Sequence, residues 1–286
     1  MKQQGNFLLM EKSEFKDWVD KQVVTRSIKK LQVHHTASPN YTTRKMINGV
    51  AQQDHFVCLE GMRTSHIKDN GWSAAGQHLT IFEDGKIALS LDRDLNITPA
   101  GIKGANTGMI CIESIGYFDK GADIMTTAQR DAIVHVYACL ADKFKISINT
   151  DNIVYHAWFT ATGERLSDYT PGKSSKTCPG TAFFGDGNTI AAANKGFIPS
   201  IKAELVKLNI KLEPVVNPQP TQSIKDDKKV DAIKAISTKD NSIVNGLLKD
   251  GISYVPSSVL KENGFKVAWD NVNKKLYYSP PIQIQN

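Results

Sequence analysis

The sequence predicts an α/β domain with a mixed central β-sheet flanked by helices, followed by a small α+β C-terminal domain. Three observations carry this expectation. Short apolar runs alternate with helix-patterned segments over roughly the first two hundred residues. Glu83-Asp84-Gly85 separates two apolar runs, Leu79–Phe82 and Lys86–Leu91, a hairpin signal that adds antiparallel pairing to the sheet. Composition then shifts near residue 211, where Leu212–Gln222 carries three prolines and little to pack, as a semi-rigid linker does.

The elements follow in order. Residues 11–21 read as an amphipathic helix with Ser13 as its N-cap. Residues 30–35 form a short strand ending at the paired histidines His34 and His35. Thr43–His55 reads as a helix, because Met46, Ile47 and Val50 recur at helical spacing. After the hairpin come a strand over Met109–Ser114, a long apolar-striped helix over Thr127–Phe144, a strand over Ile153–His156 and a last helix over Pro199–Leu208. Beyond the linker, Ile252–Val255, Lys266–Asp270 and Lys275–Tyr278 are strand-like, with a turn at Asn271–Lys274. The expected boundaries are a first domain over 1–210, a linker over 211–229 and a small domain over 230–286.

Bulk properties narrow the function classes. A chain of 286 residues has room for two domains, and 41% hydrophobic with 22% charged residues is the balance of a soluble globular protein. No apolar run approaches a membrane span, so membrane insertion is not expected. Met1–Lys12 lacks a long apolar core and a small-residue cleavage site, so no signal peptide is expected. The formal charge of +6 favours anionic polymers in general. No Arg/Lys run is interleaved with aromatics, so nucleic acid is not an expected partner. Among Cys58, Cys111, Cys139 and Cys178 there is no C-x-x-C pair. Cys58, Cys111 and Cys139 read as core residues. Cys178 alone has a polar, turn-rich setting, in Lys176-Thr177-Cys178-Pro179-Gly180.

That cysteine gains meaning from the histidines upstream. One of His34 and His35, with His156 and Cys178, supplies two imidazoles and a thiolate. These are three of the four positions of a tetrahedral zinc, and a fourth left to water marks a catalytic site rather than a structural one. Neighbouring residues on a strand face opposite ways, so the pair contributes a single ligand. A lone histidine is as readily a satisfied core residue; the coincidence with Cys178 carries the signal. His34, Glu113 and His156 each end a short apolar strand, where α/β sheets tend to build their sites.

Four motifs in order, His34-His35-Thr36, Asn106-Thr107-Gly108-Met109-Ile110-Cys111-Ile112-Glu113, Tyr155-His156 and Lys176-Thr177-Cys178-Pro179-Gly180, resemble the zinc-dependent N-acetylmuramoyl-L-alanine amidases. This amidase type 2 family shares its fold with the peptidoglycan recognition proteins, and the likeness spans roughly the first two hundred residues. The resemblance selects His34 and so implies Zn2+ on His34, His156 and Cys178. Glu113 is the natural general base, and Lys176 would face the developing oxyanion. Several relatives have a tyrosine just before the histidine that is His78 here; this chain has Gln77, which leaves more of the chemistry to Glu113. The implied substrate is peptidoglycan, cut between the lactyl group of N-acetylmuramic acid and L-alanine. A stem-peptide groove would include Trp72 and Thr98–Asn106, with His66 a further candidate for its lining.

The tail resembles the small stalk module related to the copper amine oxidase N-terminal domain, through Val244-Asn245-Gly246, Tyr254-Val255-Pro256 and Trp269-Asp270. It has no histidine, so no copper is expected there. From residue 221 it carries ten lysines, no arginine and seven acids, a net of +3. A wall-binding role toward anionic wall polymers is expected, the plainer alternative being a spacer or dimerisation element. Catalytic domain, linker and targeting domain make the layout of a phage endolysin or autolysin, made in the cytoplasm and reaching the wall through holin-assisted release or lysis. Two other readings stand beside this one. The first is a non-catalytic peptidoglycan receptor on the same fold, which Cys178 and Glu113 disfavour. The second is a structural zinc closed by His35 or Cys111.

Overall fold

A computed structural model describes residues 1–209, with side chains through Leu208, and beyond them the backbone of five strands between residues 231 and 279. The chain divides into two compact units, Met1–Asn209 and Ile210–Asn286. The linker expected over 211–229 and the turn at Asn271–Lys274 lie outside the described residues, as do Val255 and Pro256 of the tail motif.

The first unit is built on a seven-stranded mixed sheet. Its strands are β1 (Lys2–Gln4), β2 (Phe7–Met10), β3 (Lys30–His35), β6 (Leu79–Ile81), β7 (Ile87–Ser90), β8 (Met109–Ser114) and β9 (Ile153–Tyr155), in the order β1-β2-β7-β6-β8-β3-β9. The β1–β2–β7–β6 side is antiparallel, and β6–β8–β3–β9 runs parallel. Parallel strands need cover on both faces, and they have it. On one face Leu31, Val33, Ile110 and Ile112 pack beneath helix α3 (Thr127–Phe144), whose Ile133, Val136, Tyr137 and Leu140 are fully buried. On the other, Phe56, Leu59 and Met62 of helix α2 (His55–Lys68) pack with Phe7, Phe82 and Ile115. Helix α1 (Lys12–Asp20) and the C-terminal helix lie against α3; the latter, α5 (Ile198–Asn209), follows the single turn α4 (Ile190–Ala192) and a π-helical turn over Ala193–Phe197.

α3 shows why sequence and element agree. Thr126 Oγ1 caps it by accepting from Gln129 N at 3.1 Å, and Lys145 closes it in the left-handed conformation at φ 54°. Truncating a fully buried aromatic under it, such as Phe197→Ala, would cost about 3–5 kcal/mol.

Three expectations are corrected. Thr43–His55 is not a helix. Met46–Ile47 (β4) and Val50–Ala51 (β5) form a hairpin around Asn48-Gly49, both at positive φ (49° and 79°), as a two-residue primed turn requires. The helix begins only at His55, where the Asp54 carboxylate accepts from Phe56 N and Val57 N. The cap of α1 is Glu11 rather than Ser13, since the Glu14 carboxylate reaches back to Glu11 N at 2.9 Å. His156 lies past the end of β9, in a 3₁₀ turn over His156–Trp158.

The hairpin region is anchored by Arg44, which is wholly buried. Its Nη2 sits 2.7 Å from Glu83 Oε1, and Nη1 donates to Gln53 O at 2.6 Å. With both charges desolvated, removing one partner would be costly, about 3–5 kcal/mol. In the second unit, β10 (Asp231–Ile236), β11 (Ile243–Lys249) and β12 (Ile252–Tyr254) form an antiparallel three-stranded sheet. β13 (Lys266–Asp270) and β14 (Lys275–Ser279) form a separate hairpin.

Candidate functional site

β3 alternates its side chains, so Leu31 and Val33 enter the core under α3 while Gln32 and His34 face the α2 side. Parallel register sets His34 opposite Glu113 and Gln32 opposite Cys111. His156 enters from the 3₁₀ turn after β9, and Cys178 from the loop before residue 181. The donor atoms of His34, His156 and Cys178 all lie within 4.8 Å of one another.

The spacing within this trio tests whether it suits a metal. A tetrahedral ion with metal–N of about 2.05 Å and metal–S of about 2.3 Å holds nitrogens about 3.3 Å apart and nitrogen from sulfur by about 3.6 Å. His34 Nδ1 is 3.3 Å from His156 Nδ1 and 3.6 Å from Cys178 Sγ. Two imidazoles and a thiol are also the donor chemistry of zinc. The residues present therefore fit the ion.

The surrounding groups hold these donors in the required state. His34 Nε2 lies 3.0 Å from Gln32 Oε1, an acceptor only, so Nε2 carries the proton and the Nδ1 lone pair faces the cluster. Gln32 Nε2 donates in turn to Asn106 Oδ1 at 3.1 Å, which also accepts from Gly101 N and Ile102 N. A Cβ on Gly101 would overlap Gln32 Oε1 and press on His34 Nε2, so the loop approaches these side chains this closely only with glycine. The Cys178 loop is tied by Asp119, whose Oδ2 accepts from Thr177 Oγ1 at 2.9 Å and Oδ1 from Thr181 N at 2.8 Å. Asn188 Nδ2 donates to Thr177 O, and Ala157 N to Cys178 O.

Burial sets the direction of the shift for His34, His156, Cys178 and Glu113. It drives His34 well below the usual histidine value, helped by His156 and Lys176, and His156 down to about 4. Both imidazoles are thus neutral, as ligands must be. Burial pushes the Cys178 thiol up to about 12 despite the hydrogen bond from His35 N, so only a nearby cation would make it a thiolate. Glu113 is pushed up to about 7 by burial, against the pull of the Lys176 ammonium. Burial opposes ionisation of Asp119 too, but hydrogen bonds from Thr181 and Thr177 hold its carboxyl below the usual range.

The site opens into a groove of two cavities, about 690 and 650 Å³, that share Trp72, Ala100, Gly101, His156 and Lys176. Glu113 and Lys176 both line the first, so all five candidate site residues (His34, Glu113, His156, Lys176 and Cys178) meet in one place. His35 does not join the trio; its ring turns toward Tyr117 and Phe118, and its Nδ1 accepts from Phe118 N at 3.1 Å. Cys111 lies close to His34 and Glu113, in a second cluster within 4.8 Å. Trp72, His66, Ala100 and Gly101 line the groove, with Lys103 and Asn106 in its second cavity. Gln77 is wholly buried and donates to Thr80 Oγ1. Asp119 and Gln32 escaped the sequence reading. Gln32 is two residues from His34 on a strand and hence on its face, a signal that was available; Asp119 had none.

The model of the N-acetylmuramoyl-L-alanine amidase family matches residues 24–181, more than half of the chain and all five candidate site residues. The chain belongs to this amidase family. Similar solved structures include the endolysin N-acetylmuramoyl-L-alanine amidase LysCS of Clostridium intestinale, at 20% identity and TM-score 0.40, over 59% of this chain and 84% of that one. The Ph2119 endolysin of a Thermus scotoductus bacteriophage is similar at 20% identity and TM-score 0.40, over 64% and 96%. Drosophila PGRP-LB is similar at 18% identity and TM-score 0.41, over 56% and 78%. A search of curated proteins finds no significant match. Among the described residues, no helix of this amidase family member is long and apolar enough to cross a membrane.

Proposed function

We propose that the chain is a zinc-dependent peptidoglycan hydrolase that cleaves the amide between the muramoyl lactyl group and L-alanine. The observation that carries this reading is the donor spacing of His34, His156 and Cys178, which matches a tetrahedral ion, with Glu113 beside it in an open groove. His34, His156 and Cys178 would hold Zn2+, which supplies the positive charge that acidifies water and polarises a carbonyl. Glu113 takes the water proton and passes it to the leaving alanine amine; a carboxyl near 7 is suited to both transfers. Lys176, exposed at the rim, places its ammonium toward the oxygen that gains charge. Gln32 and Asp119 are positioning residues, acting through His34 and the Cys178 loop.

We assign residues 1–210 to catalysis, 211–229 to a linker and 230–286 to wall binding, where the net positive tail would hold the enzyme on anionic wall polymer. Action on the wall follows release from the cell, by holin or lysis.

The test is a paired assay on purified peptidoglycan, wild type against Cys178→Ser. New alanine amino termini without new reducing sugar ends, lost in the variant and on chelation, are expected. Wall polymer bound without amine release would instead make the chain a receptor.

A further inference from the structure

The four cysteines are all buried, but they divide into two kinds. Cys58 and Cys139 pack inside hydrophobic clusters, whereas Cys111 and Cys178 belong to neither cluster and stand among the polar side chains around His34. The ladder explains the place of Cys111. It lies two residues before Glu113 on β8, so both side chains leave the sheet on the face that Gln32 and His34 share. His78 fixes the main chain of Cys111 from both sides, its Nδ1 accepting from Cys111 N at 2.9 Å and its own N donating to Cys111 O at 3.0 Å. Gly101 keeps the adjoining space open: a Cβ there would stand 2.8 Å from Cys111 Sγ and 3.1 Å from His34 Nε2. The result is a second set of donors, from His34, Cys111 and Glu113, that lie within 4.8 Å of one another, the same limit that holds for the trio.

We propose that His34, Cys111 and Glu113 form a second position for a divalent transition-metal cation, exclusive of the first, in which the chain is metal-loaded and inactive. The proposal rests on the reading of His34, His156 and Cys178 as the catalytic metal site and goes beyond it. Imidazole, thiolate and carboxylate are all donors that such cations accept. Exclusivity follows from the shared histidine. A neutral imidazole has one lone pair, on whichever nitrogen lacks the proton, so the ring serves one set or the other. A cation in the second set therefore removes two groups from the reaction at once. His34 is lost to the trio, and Glu113, once a ligand, no longer accepts a proton from water. Binding there releases the Cys111 thiol proton to solvent, because the thiolate is the ligand. The two sets also differ in exposure. The trio is buried throughout, whereas Glu113 is partly exposed on the groove, so only the second set offers an arriving cation a solvent-facing carboxylate.

The test is a Co2+ titration of the full chain, read by the thiolate-to-metal charge-transfer band, with amine release from peptidoglycan measured on the same samples. Wild type, Cys111→Ser and Cys178→Ser should each bind a single Co2+ with the band present. The double variant Cys111→Ser/Cys178→Ser should lose the band, and loaded Cys178→Ser should release no amine. Absence of the band from Cys178→Ser, while wild type and Cys111→Ser show it, would overturn the second position. A further Co2+ on wild type, bound through both thiolates at once, would overturn its exclusivity. No Co2+ on wild type would instead sink the metal reading of the trio, and the second position with it. His156→Gln breaks the trio from its other side and keeps the test decisive if Cys178→Ser does not fold. Adding Cys111→Ser to His156→Gln should weaken Co2+ binding by about 10-fold or more, since a direct ligand counts for at least as much as an outer-shell partner. An unchanged affinity in that pair overturns the second position.

Discussion

The two halves of the site are held in different ways. His34 and Glu113 stand opposite one another on adjacent parallel strands, where main-chain ladders to β6, β8 and β9 fix their positions. Cys178 and Lys176 sit on a loop without a ladder, held by Asp119, Asn188 and a few backbone contacts. The strand half therefore depends on main-chain hydrogen bonds that most substitutions leave intact. The loop half depends on named side chains, and a single replacement can release it.

The largest effect tests the strand half. Glu113→Gln keeps shape and ladder and removes the proposed base, so amine release should fall about 10²- to 10⁴-fold with metal content and thermal midpoint unmoved. Wild-type kcat/KM should also fall as pH drops through the Glu113 pKa, because the protonated acid cannot accept the water proton. Its burial puts that limb near 7, and a bound cation, which favours the carboxylate, moves it lower. A wild-type acid limb that persists in the variant would take the base role from Glu113.

A smaller effect tests the loop half. Asp119→Ala should weaken metal affinity about 10- to 100-fold in a chelator competition, and Asp119→Asn, which keeps an acceptor for Thr181 N, should lose less. Unchanged affinity would mean that backbone contacts alone hold the Cys178 loop. The smallest is Gln32→Met, which removes the acceptor for His34 Nε2–H while β3 stays paired; metal affinity should drop by less than about 10-fold, with Gln32→Glu recovering it. If Gln32→Met costs more than Asp119→Ala, the contrast between the halves is inverted.

The same contrast explains what could be read in advance. β3, β8 and α3 were legible because period and length agree with burial, and with them came His34 and Glu113. Met46, Ile47 and Val50 mimic a helical stripe, but Asn48-Gly49 takes the left-handed turn that helix cannot accommodate, and this local rule wins. α2 then starts at Asp54, a cap that the misplaced helix had absorbed. β1 and β2, of three and four residues, are too short for a period to show in the sequence. Cys178 stood out by its neighbours, yet its burial was invisible, since polar flanks conceal a side chain turned inward. Asp119 meets Thr177 across 58 residues of sequence, a distance at which no periodicity speaks.

That distance has a temporal side. His34 and Cys178 are 144 residues apart, and the three candidate donors come from the beginning, the late part and the end of the matched region. During synthesis the chain passes through a long interval in which it owns a lone buried-to-be histidine and no partner for it, because parallel strands of this kind pair only after their crossovers exist. A ribosome-bound fragment ending before residue 178 thus lacks the third donor altogether. The chemistry proposed for this chain therefore cannot begin until nearly the whole first unit has been made.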